Sequence, residues 1–170
     1  MTSSKKFFAL IKFVFTLNFV FSLFGLSNAG AVSDSDTLHL RGIIEQVVSI
    51  EVRASNQAEN LDLSQAQSNL KVADVIEKSN NQAGYVVTLV SANGGNLVRS
   101  GGNESVSYKA KYESTDVILS GQAQVITDQG PQVRPIRSQK SFSVSYDGVD
   151  PTQMLSGSYE DTLTFEIIAR

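Results

Sequence analysis

The sequence predicts an all-β, antiparallel sandwich, and three observations carry that prediction. Short runs of alternating apolar and polar residues recur from Thr37 to the end of the chain, which is the period of a strand with one buried face. Turn sequences rich in Gly and Asn, Asn93-Gly94-Gly95-Asn96 and Ser100-Gly101-Gly102-Asn103, fall between such runs and read as hairpin signals. No stretch has convincing helical periodicity: residues 58–73 come nearest, and Asp62, Ser64, Ser68 and Asn69 weaken them. About eight to ten strands at this spacing suit a sandwich.

The first residues read as an address. Lys5, Lys6 and Lys12 stand in a segment without acids, residues 13–26 are largely apolar, and the small residues Ser27, Ala29 and Ala31 follow. A basic start, an apolar run too short for a comfortable membrane span and an Ala-x-Ala-like site make a signal peptide, with cleavage expected after Ala29 or Ala31. The expected organisation is residues 1–31 as signal, 32–46 as a separate N-terminal strand and 47–170 as the sandwich domain. Seven of the nine Phe lie in the signal, so the remainder keeps only Phe142 and Phe165. Removing the signal takes three of the 14 basic residues and none of the 17 acids, leaving 11 against 17, a net of −6. Scattered cations on a mildly acidic chain give no footprint for nucleic acid. With no cysteine there is no lipid anchor and no disulfide, although export would permit one.

Thr37–Ile44 places Leu38, Leu40, Gly42 and Ile44 on one side and His39, Arg41 and Ile43 on the other. Glu45-Gln46 interrupts, and Val48, Ile50 and Val52 then alternate with Ser49, Glu51 and Arg53. Residues 54–60 form a polar loop, Leu61–Leu63 a short strand, 64–69 a turn and 70–79 another strand. After the Asn80-Asn81-Gln82 turn, residues 84–91 are apolar on both faces, as in a central strand. Ser105–Tyr112 alternates throughout, with Val106, Tyr108, Ala110 and Tyr112 inward. Shorter strands follow at 117–119 and 123–127, then a loop over 128–135 holding two of the three prolines, then Ser141–Tyr146 with Phe142, Val144 and Tyr146 inward. The chain ends in one long strand whose odd positions, Tyr159, Asp161, Leu163, Phe165, Ile167 and Ala169, form the apolar row. Such a strand needs cover from its neighbours, and a second molecule is one source of it.

The residues offer no reaction. His39 is the sole histidine, and without cysteine neither a zinc cluster nor a thiol nucleophile can be built. Asp147/Asp150 and Asp34/Asp36 lack the ligand density of a calcium loop. Glu160 and Asp161, adjacent on a strand, face opposite ways and cannot share a proton. No helix follows the glycine pairs, so they do not cradle phosphate. The expectation is a protein that is not an enzyme and holds no cofactor or metal.

In layout the chain resembles the pilin subunits of the chaperone–usher pathway: a signal peptide, a short alternating N-terminal segment, sandwich strands and an amphipathic last strand. It is similar in particular to the cysteine-free alpha-type branch, and its end, Gly157-Ser158-Tyr159-Glu160-Asp161-Thr162, looks like that of spore-coat-U-type domains. The resemblance implies an immunoglobulin-like sandwich lacking one strand, which a periplasmic chaperone and then the N-terminal extension of the next subunit supply, with an outer-membrane usher at the exit. It further implies that Leu38, Leu40, Gly42 and Ile44 are the donor row. Gly157, fourteenth from the end, Tyr159, Leu163, Phe165 and Ile167 would form the terminal strand met by chaperone or donor. Ala169 stands at the penultimate place where the family carries an aromatic. The function implied is a structural subunit of a fimbria, exported through the periplasm to the cell surface. The alternative is a self-contained secreted or periplasmic binding module, with residues 37–44 as its own first strand and the loops at 93–103 and 128–137 as ligand contacts.

Overall fold

A strand forms where alternate side chains find a buried face, and ten segments of the chain meet that condition. The structure is a computed structural model, and it describes residues 33–170. The strands are β1 (Val48–Ala54), β2 (Gln67–Ser79), β3 (Tyr85–Ser91), β4 (Asn96–Arg99), β5 (Ser105–Tyr112), β6 (Thr115–Val117), β7 (Gln124–Gln129), β8 (Ile136–Tyr146), β9 (Tyr159–Glu160) and β10 (Leu163–Ala169). No helix occurs among the described residues. The segment expected from the sequence to be a signal peptide, residues 1–31, lies outside them.

All pairings are antiparallel. One sheet runs β1-β2-β8-β5-β4-β9, with β6 also on β5; the other runs β10-β3-β7. The inward rows are those the alternation predicts: Val106, Tyr108, Ala110 and Tyr112 from β5, and Phe142, Val144 and Tyr146 from β8, are buried. Tyr85, Val87 and Leu89 are buried on β3, the central strand of the small sheet. Phe142 and Phe165 meet edge to face across the two sheets, ring centroids 5.4 Å apart at 86°.

Several local expectations change, and the strand expected at 117–119 forms instead over Thr115–Val117. β2 begins at Gln67 and β8 at Ile136, both earlier than their apolar alternation, because the two strands pair with each other almost end to end. Leu61–Leu63 is irregular, yet Leu61 and Leu63 pack on the core as half-buried residues. The Asn93–Asn96 turn is no hairpin: it carries the chain from β3 in the small sheet to β4 in the large one. Gly95 there is buried at φ 79°, and an added Cβ would come within 3.0 Å of Leu119 Cβ, so the crossing requires glycine. Ser100–Asn103, by contrast, does close the β4–β5 hairpin. Finally, the terminal strand is broken at Asp161-Thr162, β9 pairing with β4 and β10 with β3.

Inside this apolar interior lies one fully buried carboxylate, Glu77 on β2. Its Oε1 accepts from Tyr112 OH at 2.6 Å and Thr127 Oγ1 at 2.8 Å, and its Oε2 from Tyr85 OH at 2.9 Å. Lys140 Nζ stands 3.1 Å from Oε2, donates to Thr127 Oγ1 at 2.8 Å and lies 5.2 Å from the Tyr112 ring centroid. A buried charge is tolerable only when paired and fully hydrogen-bonded, as here. The partners come from β3, β5, β7 and β8, so one side chain ties both sheets together.

Glu77→Ala therefore strands a half-buried cation and three hydroxyls. Unfolding in urea should show a loss of about 3–5 kcal/mol. Burial, reinforced by the carboxylates they donate to, raises the hydroxyl pKa of Tyr85, Tyr112 and Tyr108. A raised acidic pKa leaves stability intact below the unfolded value and removes it above. Melting temperature should thus fall as pH climbs past about 10, and Tyr112→Phe should flatten that fall.

Candidate functional site: a seam between two edge strands

Each sheet ends in an edge strand on the same side of the sandwich, β1 on the large sheet and β10 on the small one, and the two lie side by side without pairing. The register shows which way their side chains face. Val48, Ile50 and Val52 stand opposite Ser79, Glu77 and Val75 of β2, all buried. Leu163, Phe165, Ile167 and Ala169 stand opposite Ser91, Leu89, Val87 and Tyr85 of β3, again all buried. Cross-strand partners share a face, so both rows point inward. Yet Val48, Ile50 and the whole β10 row are only half-buried, and Val52 is 45% exposed. Two apolar rows are thus short of cover along the side they share, and β10 has β3 as its one partner among the described strands.

At the Leu163 end the seam opens on a cavity of about 170 Å³, lined chiefly by Ala58, Leu61, Val72, Leu97, Val144 and Leu163, with Tyr108, Tyr146 and Asp161. Asp161 explains the strand break. Its Oδ2 accepts from Ser91 Oγ at 2.6 Å and Tyr108 OH at 2.7 Å, and its Oδ1 from the Asn93 N–H at 2.9 Å. Asn93 Nδ2 also donates to Glu160 O at 2.9 Å. A carboxylate held by three donors turns inward and draws the chain out of the ladder there.

At the other end the β2–β3 turn holds the end of β10. Asn81 Nδ2 donates to Gly84 O at 2.8 Å and Arg170 O at 3.0 Å, and the Arg170 N–H donates to Gly84 O. The Arg170 guanidinium pairs with Asp128.

Of the residues singled out in the sequence, Leu163, Phe165 and Ile167 line the seam. Tyr159 lies on β9 beside β4, its hydroxyl donating to Leu155 O at 2.7 Å. Gly157 is in the preceding loop at φ 155°, where an added Cβ would press on the Arg99 side chain at 3.2 Å. Residues 33–46 carry no regular secondary structure, and Leu38, Leu40 and Ile44 are 84%, 81% and 91% exposed. A Cβ on Gly42 would meet nothing within 4 Å. His39 is exposed. Sequence reasoning missed the second wall, Val48 and Ile50, although their alternation was visible. It also missed Ala58 and Leu61, whose loop shows no period. No group of three or more His, Cys, Asp or Glu able to hold a metal occurs among the described residues.

Fold and seam together define a class: an antiparallel β-sandwich with one under-covered side. No protein-family model matches the chain, and no curated protein matches it. Among solved structures, the P pilus rod subunit PapA aligns with a TM-score of 0.37 at 12% identity, over 72% of this chain and 99% of that one.

Phe165→Ala removes half of the inter-sheet ring contact and part of the seam's apolar wall. It should cost about 2–4 kcal/mol in urea unfolding. Thr164→Ser, on the outward face of the same strand, should stay within about 0.5 kcal/mol.

Proposed function

We propose that the chain is an exported structural subunit of a surface fibre that polymerises by donating residues 37–44 to the seam of a neighbouring copy or a related subunit. One observation carries the reading. Four positions at period two, Leu38, Leu40, Gly42 and Ile44, stand exposed ahead of a domain whose β10 presents a half-covered row of four, Leu163, Phe165, Ile167 and Ala169. An added strand supplies backbone bonds along β10 and apolar cover for both walls. Leu38, Leu40 and Ile44 contribute roughly 1.5–3 kcal/mol each on full burial.

Antiparallel addition to β10 sets Ile44 beside Leu163 and the cavity, Gly42 beside Phe165, Leu40 beside Ile167 and Leu38 beside Ala169. The glycine then falls where the largest seam side chain stands, which accounts for a glycine that nothing in its own chain requires. The donor's β1 begins beyond the Leu163 end of its acceptor, whereas its own N-terminal segment leaves near Arg170. The contact is head to tail, the kind that builds a filament whenever the rotation between subunits does not close a ring. Until a donor arrives the seam needs other cover, and the resemblance drawn from the sequence assigns that task to a periplasmic chaperone and the exit to an outer-membrane usher. The N-terminal residues read as a signal peptide supply the export step.

The mature chain should form concentration-dependent ladders, and deletion of residues 32–46 should stop them until a peptide of that segment is added back. Gly42→Val is the sharper test. The isolated chain has room for the new side chain, so its melting temperature should not change. In a filled seam the valine would overpack against Phe165 at a cost of about 1–3 kcal/mol, and assembly should slow. Assembly of this variant at the wild-type rate, or a mature chain that stays monomeric at every concentration, would reject the reading.

A further inference from the structure

The N-terminal segment is fastened at its root by one side chain. Asn80 follows Ser79, the last residue of β2, which pairs with Val48, the first of β1. Its backbone N–H donates to Val47 O at 3.0 Å. Its side-chain oxygen accepts the Val47 N–H at 2.6 Å, and its side-chain nitrogen donates to Glu45 O at 2.8 Å. A carboxamide has an acceptor and donors in one plane, so it stands in for the peptide group of a partner strand. The β1–β2 ladder is thereby continued back to Glu45, next to Ile44. The neighbouring Asn81 turns to Gly84 O and Arg170 O instead. Of these two adjacent asparagines in the β2–β3 turn, one holds the terminal strand and the other holds the outgoing segment. Asn80 is half-buried and takes no part in the apolar core.

We infer that Asn80 is a positioning residue for donation, fixing the point and direction in which the N-terminal segment leaves the domain and hence the joint between consecutive subunits. The inference rests on the donor-strand reading. A segment rooted at Glu45 reaches a neighbour's seam from a fixed origin. Freed over residues 45–47, it gains slack, its effective concentration at that seam falls, and it can turn toward its own domain.

The donor and acceptor roles separate in one experiment on the mature chain. The acceptor role is read by fluorescence anisotropy with a labelled synthetic peptide of residues 33–46. The donor role is read as the self-assembly rate by light scattering. Asn80→Ala should bind the peptide within about twofold of wild type while assembling roughly three- to tenfold more slowly, the loss expected for one or two hydrogen bonds. Asn80→Asp keeps the acceptor for Val47 N–H but sets a carboxylate oxygen against Glu45 O. It should be at least as slow, and it carries the comparison if Asn80→Ala melts early. Assembly of both variants at the wild-type rate would overturn the inference. So would a parallel loss of peptide binding and assembly, which marks an ordinary structural residue. A wild-type chain that neither binds the peptide nor assembles would overturn the donor-strand reading itself, and this inference with it.

Discussion

A strand has two backbone edges, and β10 has a partner on one. That constraint governs the rest of the molecule. Its odd-numbered row is held from below by Leu89 and Val87 of β3 and by the Phe142 ring, while the side toward β1 is short of cover. β1, the edge strand of the other sheet, lies alongside β10 but does not pair with it. An edge with unpaired N–H and C=O groups beside an apolar row invites a further strand.

A sandwich with an open side needs something else to keep its sheets together, and this chain has no disulfide to do it. Two carboxylates serve. Glu77 gathers hydroxyls and an ammonium from β3, β5, β7 and β8, and Asp161 gathers Ser91 at the end of β3, Tyr108 of β5 and the Asn93 turn. Both work from within, away from the seam's backbone edges. Low local dielectric makes such networks strong when complete and costly when one member is removed. The seam can stay open because the sheets are joined elsewhere.

The two ends of the seam are set by asparagine turns with different tasks. Asn93 and Asp161 end β10 beside the apolar cavity. Asn80 and Asn81 bring the start of β1 and the end of β10 to the same turn. An Asn side chain can hydrogen-bond backbone as another backbone would, so turns of this kind fix strand ends without using core volume.

The sequence by itself determined the class and the faces. Alternation in Ser105–Tyr112, Ser141–Tyr146 and Leu163–Ala169 placed the inward-facing rows, because the two-residue period is a property of the local backbone. It also exposed the apolar row of Leu38, Leu40, Gly42 and Ile44. Tertiary structure alone decided which strand lies beside which. Asn93–Asn96 looks like a hairpin turn locally, yet it crosses between sheets, with Gly95 passing close to Leu119. The terminal strand looks continuous, yet Asp161 breaks it by reaching donors some seventy positions away at Ser91. Only the fold brings Tyr85, Tyr112, Thr127 and Lys140 together around Glu77. Val48 and Ile50 become the second wall of the seam only once β1 and β10 are placed side by side. Side-chain direction follows from neighbours in the chain, whereas strand pairing and buried polar contacts depend on residues brought together by the fold.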